Sequence, residues 1–164
     1  MESAVAARLA RVLALLTPAV LLGGAYLSQY GFGLYPCEMC WWQRYAHFVA
    51  LALALAAWAR PQAVVLTALA AAAIAVAGLI GGFHAGVEYG WWQGLTACTT
   101  TVAAGSADPL DAIMNAPLVR CDVAPWSLMG ISLAGWNFLF SMGAALAIFL
   151  LLARAQRHLR RLPA

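Results

Sequence analysis

Lysine is absent from this chain, and only six of its 164 residues are acidic. Charged residues make up 9% of the sequence and hydrophobic ones 65%, where soluble domains run at roughly 25% and 45–50%. So small a supply of charge excludes an ordinary water-soluble domain. It also removes the case for nucleic acid as a partner. The formal charge of +3 rests on arginine alone, and Arg154, Arg157, Arg160 and Arg161 crowd into the last eleven residues. Internal repeats and low-complexity linkers are missing too, so nothing indicates a repeat array or a tethered second domain.

What the sequence has is apolar length, with a mean hydropathy of +0.83. Apolar runs cover approximately 12–30, 41–59, 63–83 and 127–153, each near the ~20 residues that cross a bilayer as a helix. Pro18 is tolerable inside the first run because neighbouring helices can satisfy the freed backbone. That run exceeds the apolar core of a secretory signal, so it reads as a span and not as a leader. The expected fold is an all-α membrane protein: a single four-helix transmembrane bundle over residues 1–164, with outer loops at 31–40 and 84–126. Arg60-Pro61-Gln62 forms a tight connection between the second and third spans.

Arginine placement sets the orientation. Arg8, Arg11, Arg60 and the four arginines of the tail fall on one side, leaving Arg120 and the interfacial Arg44 with most of the acidic residues on the other. Positive charge marks the cytoplasmic face, so both termini are expected there, in a bacterial inner membrane, with the long loop outside. Trp91, Trp92 and Trp126 flank that loop at headgroup level. Within it, Asp108 to Asn115 reads as a short helix, with Asp108 as N-cap, Pro109 as first helical residue and an apolar stripe of Leu110, Ile113 and Met114. Gly78, Gly82 and Gly86 recur every four residues and permit close helix approach. Asn137 and Ser141, one turn apart in the fourth span, suggest an interhelical hydrogen bond.

All four cysteines, Cys37, Cys40, Cys98 and Cys121, then lie on the oxidising side. Cys37 and Cys40 form a Cys-x-x-Cys pair opening a helix, where backbone N–H groups and the helix dipole favour a thiolate. Arg44 follows Cys40 by one turn on the same face and can stabilise either that thiolate or an anionic ligand. An arginine reaching for headgroups is the plainer alternative. Cys98 and Cys121, 23 positions apart, are either a permanent staple for a loop with little core or a couple that exchanges with the first pair. A zinc site is disfavoured because the second pair is widely split, and haem attachment because Trp41, not histidine, follows Cys40. His84 and Glu88, at i and i+4 where the third span emerges, share a face. They serve either a bound ligand or the helix end.

Pro36-Cys37-x-x-Cys40-x-x-x-Arg44, two cysteines in the second outer loop and four spans resemble the disulfide bond formation protein B family of bacterial inner-membrane thiol:quinone oxidoreductases. His84 to Glu88 with Trp91 and Trp92, Gly94 to Cys98, and Pro125 to Leu128 strengthen the resemblance over essentially the whole chain. It implies an enzyme that reoxidises a periplasmic thioredoxin-like dithiol oxidase. Cys37, Cys40, Cys98 and Cys121 would be catalytic, and Arg44, His84 and Glu88 would border a quinone (ubiquinone or menaquinone) drawn from the membrane pool. The partner would attack Cys98 and release Cys121, which would pass reducing equivalents to Cys37 and leave Cys40 as the thiolate facing the quinone. The loop between Cys98 and Cys121 is slightly shorter than in the enterobacterial representative. The alternatives are a specialised paralogue serving one dedicated substrate, and a non-enzymatic membrane scaffold held by structural disulfides.

Overall fold

A computed structural model of the chain describes residues 2–60, 64–95, 99–100 and 118–159. Four helices carry it: α1 (Glu2–Phe32), α2 (Glu38–Ala59), α3 (Val64–Glu88) and α4 (Leu133–Leu159). Four two-residue strands, β1 (Thr99–Thr100), β2 (Leu118–Val119), β3 (Ser127–Leu128) and β4 (Ile131–Ser132), pair antiparallel as β1–β2 and β3–β4. Helix α3 packs between α2 and α4, and α1 closes the bundle against α4 and α2, diagonal to α3. The fold is an all-α membrane protein built as a four-helix bundle.

Three of the helices, α1, α3 and α4, are long and apolar enough to cross a membrane. Helix α2 has the length, but its first half carries Glu38, Gln43, Arg44 and His47. Gln43, Arg44 and His47 are buried inside the bundle, so α2 spends its polarity inward and not on lipid. Outward faces carry exposed Val20, Leu27, Leu55, Val76 and Leu146.

The interior is layered. Toward the chain termini a core of Ala10, Ala14, Ala50, Ala54, Ala70, Ala71 and Ala145 surrounds Ile74 and Ile148, small side chains that bring backbones together where lipid supplies no hydrophobic drive. At the other end Cys37, Met39, Val87 and Cys121 form a second cluster. The spaced glycines serve several contacts. A Cβ on Gly78 would press on Ser141 and Met142, one on Gly82 on the Phe138 ring, and one on Gly86 would run into Trp92. Gly81, outside that spacing, meets the backbone of α4, since its Cβ would lie 2.9 Å from Ala134 C=O. A backbone carbonyl cannot swing aside. Gly81→Ala is therefore expected to cost about 1–3 kcal/mol, read as a lowered thermal midpoint in detergent, with Gly23→Ala, which meets nothing within 4 Å, as the neutral control.

Helix ends explain where loops begin. At the end of α3, Gly90 adopts φ +72°, while Trp91 N–H donates to Gly86 C=O and Gly90 N–H to Val87 C=O. This Schellman closure uses a left-handed residue that glycine supplies without strain. It folds Trp92 back so that its indole N–H reaches Phe83 C=O at 2.9 Å. The apolar run beginning at Ser127 does not open as a helix. Met129 (φ 53°) and Gly130 (φ 77°) form a hairpin turn of the kind that matches strand twist, and Ser132 Oγ then caps α4 by accepting from Gly135 N–H at 3.1 Å. Hydropathy is blind to this turn. Tyr89 ties the hairpin to α3, donating to Gly130 C=O and accepting from Ser132 N–H. The Arg60-Pro61-Gln62 connection and the short helix from Asp108 to Asn115 lie outside the described residues, wholly or in part.

Candidate functional site

Cys37 is the N-cap of α2, with φ −78° and ψ 178°, and its sulfur accepts from the Cys40 N–H at 3.4 Å. One turn of helix then brings the Cys37 S–H to the Cys40 sulfur at 3.1 Å, so the pair stands as two hydrogen-bonded thiols. Behind it stands α3, whose His84 places Nε2 3.5 Å from Cys37 Sγ. The strand β2 delivers Cys121 to the same spot: the sulfurs of Cys37 and Cys121 and a ring nitrogen of His84 all lie within 4.8 Å of one another. His84 also meets the Cys121 backbone. Three of the four cysteines are thus brought together; Cys98 lies outside the described residues.

The hydrogen bond to Cys40 and burial together push the Cys37 thiol up to about 12. The sign is direct. Below that pH Cys37 keeps its proton, so the reactive thiolate of the reduced pair belongs to Cys40. In the reduced protein at pH 8, brief iodoacetamide treatment is expected to label Cys40 in preference to Cys37, read by peptide mass spectrometry. Equal labelling, or labelling of Cys37 first, would contradict the assignment. At the rim, Arg120 grips Asp122 through two N–H groups, at 2.8 and 2.5 Å, and holds its carboxyl below the usual range.

Two cavities meet at the cysteine pair. The larger, about 470 Å³, is bordered by Cys40, Arg44, His84 and Glu88, with Trp126 and Phe140 among its apolar walls. The smaller, about 300 Å³, lies on the loop side and is bordered by Cys37, Cys40, His84, Glu88 and Arg120. Arg44 borders the larger cavity, but its hydrogen bonds run to α1: Nη1 donates to Gln29 Oε1 at 2.6 Å and Nη2 to Ala25 C=O at 3.1 Å. Its guanidinium lies 4.9 Å from the centres of both the Tyr26 and Trp41 rings. The Glu88 side chain is 2% exposed, with Oε1 3.7 Å from His84 Nε2 and Oε2 lacking a hydrogen-bond partner among the described residues.

Sequence reasoning passed over Gln43, His47 and Trp136. Gln43 bridges His84 Nδ1 and Met39 C=O, while Asn137 links Gln43 to His47 and to Ser141. The Asn137–Ser141 bond is within α4; the interhelical bonds are those of Asn137 to α2 and α3. Polar residues inside an apolar span are costly and so suspect, and that signal was present at Gln43 and His47. Among the described residues, the buried atoms His47 Nδ1 and Trp136 Nε1 also lack a hydrogen-bond partner, and both residues border the larger cavity. An apolar chamber with an arginine and unpaired polar atoms suits a ring that carries carbonyl oxygens.

Cys37, His84 and Cys121 are spaced as metal ligands could be. A histidine ligates a metal only through a ring nitrogen that carries no proton.

Comparison with known proteins covers most of the chain. A family model described as disulfide bond formation protein DsbB matches residues 7–151. The chain is 37% identical to disulfide bond formation protein B of Verminephrobacter eiseniae, over 92% of this chain and 90% of that one. It is 32% identical to the protein of that name from Polaromonas sp., over 90% and 93%, and 30% identical to that of Acidovorax sp., over 90% and 89%. No solved structure matches it.

Proposed function

We propose that this chain, which belongs to the disulfide bond formation protein B family, is a thiol:quinone oxidoreductase that keeps a periplasmic, thioredoxin-like dithiol oxidase in its disulfide form. The observation that carries this reading is the position of Cys40. It sits hydrogen-bonded to Cys37, within reach of the Cys121 cluster on one side, and borders the 470 Å³ cavity on the other. A sulfur so placed can take electrons from a soluble donor through a loop couple and pass them to an acceptor that lives in lipid.

The steps balance as thiol–disulfide exchange. A partner thiolate attacks Cys98 of a Cys98–Cys121 disulfide, forming a mixed disulfide and releasing Cys121. The partner's second thiolate resolves that bond and leaves with its own disulfide, so the loop couple is now a dithiol. The Cys121 thiolate attacks Cys37 of the Cys37–Cys40 disulfide, Cys40 leaves as a thiolate, and Cys98 displaces Cys37 to restore the loop disulfide. The 4.8 Å limit on the separation of the Cys121 and Cys37 sulfurs supports this order. A bound quinone supplies the sink for two electrons and two protons, and the Cys37–Cys40 disulfide is restored. Arg44 stabilises negative charge beside Cys40, and the donor on His84 Nε2 holds Cys37. His84 and Glu88, buried between the two cavities, stand where protons must be exchanged.

Four spans with both termini cytoplasmic and the cysteines periplasmic complete the reading. Arginine placement supports it, and so does the inward polarity of α2. Thiol trapping tests the function. When reduced partner and quinone are added to the protein in lipid, the redox state of both cysteine pairs is expected to cycle. A scaffold with structural disulfides predicts no change at any cysteine, and that outcome would end the enzyme reading.

A further inference from the structure

We propose that Gln43, held in place by Asn137, fixes His84 as the tautomer whose Nε2–H faces Cys37, and so turns the Cys37 thiol proton toward Cys40. Two backbone carbonyls, which can only accept, set the whole chain of bonds. Ala77 C=O lies 3.1 Å from the Asn137 amide nitrogen, and Met39 C=O 3.1 Å from that of Gln43. Each side-chain amide must therefore turn its NH2 toward a carbonyl and its oxygen away. The Asn137 NH2 also donates to Gln43 Oε1 at 2.8 Å, and Asn137 Oδ1 accepts from His47 Nε2 at 2.9 Å and from Ser141 Oγ at 3.0 Å.

The remaining N–H of Gln43 points at His84 Nδ1, 3.0 Å away. A donor there requires a lone pair on Nδ1, so neutral His84 carries its proton on Nε2. That N–H meets Cys37 Sγ at 3.5 Å. With a donor on one side of the sulfur, the Cys37 S–H is directed to Cys40 at 3.1 Å. The opposite tautomer would need both amides flipped, setting oxygen against Met39 C=O and Ala77 C=O in a buried layer, where unmet polar groups are expensive.

The other charged or titratable groups around the sulfur pair are Cys121, Glu88 and Arg44, with Arg120 at the loop-side rim. The Cys121 backbone also meets His84; among the described residues Gln43 is the side chain that meets Nδ1. Gln43 acts through His84 and is a positioning residue. Its purpose, fixing the bonds of the Cys37 sulfur within the pair, rests on the relay proposed above, but its tests need neither quinone nor partner.

Nitrogen-15 spectra of histidine-labelled, reduced protein in lipid at pH 8, with His84 assigned by its loss in His84→Gln, read the tautomer directly. The expected result is a bare Nδ1 and a protonated Nε2 on His84. A proton on Nδ1 of the unmutated protein would overturn the proposal without any question of misfolding. In Gln43→Glu an oxygen replaces the donor, and Nδ1 is expected to gain a proton; a bare Nδ1 there would show that Gln43 does not set the tautomer. A purely structural role would lower thermal stability and leave the tautomer alone. In His84→Leu the Cys37 sulfur loses a donor that favours its thiolate, so the ratio of Cys40 to Cys37 alkylation is expected to rise about fivefold, the size of one ordinary hydrogen bond. An unchanged ratio would break the link to the cysteines.

Discussion

Cys121→Ala is expected to abolish turnover and to leave the chain joined to the proposed thioredoxin-like partner by a disulfide through Cys98. Exchange requires a sulfur at each step, and no neighbouring group can substitute for one. The loss should be at least about a thousandfold, as for other residues that act only as a unit. With Cys121 gone, the Cys98 thiolate can still attack the disulfide of oxidised partner, forming a mixed disulfide and freeing one partner thiol. The freed partner thiol can only reverse that step, and Cys121, which would carry it forward on this chain, is missing. Non-reducing electrophoresis followed by mapping of the linked peptides reads the result. Linkage through Cys37 would contradict the proposed order, because it would make the buried helix pair the partner's entry point. Burial argues against that, since Cys37 is 3% exposed.

Arg44→Ala is expected to slow quinone reduction by about a hundredfold or more, the cost of removing one preorganised charge stabiliser from a dry site, while formation of the mixed disulfide with partner is unchanged. Arg44 also has a structural part, because its N–H groups satisfy Gln29 Oε1 and Ala25 C=O and its plane meets Tyr26 and Trp41. The two roles separate with Gln29→Ala, which removes the tie to α1 but keeps the charge. Gln29→Ala should lower the melting temperature and leave quinone reduction within a few-fold of normal, since a lost hydrogen bond is worth only about 1 kcal/mol. If Gln29→Ala were as slow as Arg44→Ala, Arg44 would be a brace and not a charge stabiliser. Arg44→Lys should fall between them, retaining the charge but not the planar fork.

Much of this was legible in the sequence because the bilayer leaves few options. Apolar runs between arginine clusters predict helices, and a Cys-x-x-Cys opening one puts its sulfurs beside unsatisfied N–H groups. That Cys37 is itself the N-cap came from the fold. The closeness of Cys121 to Cys37 was not a matter of spacing, since 84 positions separate them; it came only from the family resemblance, and the fold brings the two together. Illegible features had local causes. The hairpin at Ser127–Ser132 hides in an apolar run because a turn needs φ, not polarity, and Met129 gives no warning of its positive φ. Gly81 escaped because a four-residue spacing selects one face, whereas its clash is with a carbonyl of α4. Asn137 reads with Ser141 as an interhelical hydrogen bond, and Gln43 is passed over. Their meaning depends on the carbonyls of Met39 and Ala77, and no sequence pattern encodes where a backbone carbonyl points.

The central claim is that electrons from a partner dithiol leave through Cys40 into quinone. Anaerobic titration of the purified protein in lipid with reduced partner and quinone, following quinone absorbance and partner thiols together, tests it most directly. The account predicts one quinone reduced for each partner disulfide formed, with both signals lost in Cys40→Ala. Partner oxidation without loss of quinone, or quinone reduction that survives Cys40→Ala, would contradict it.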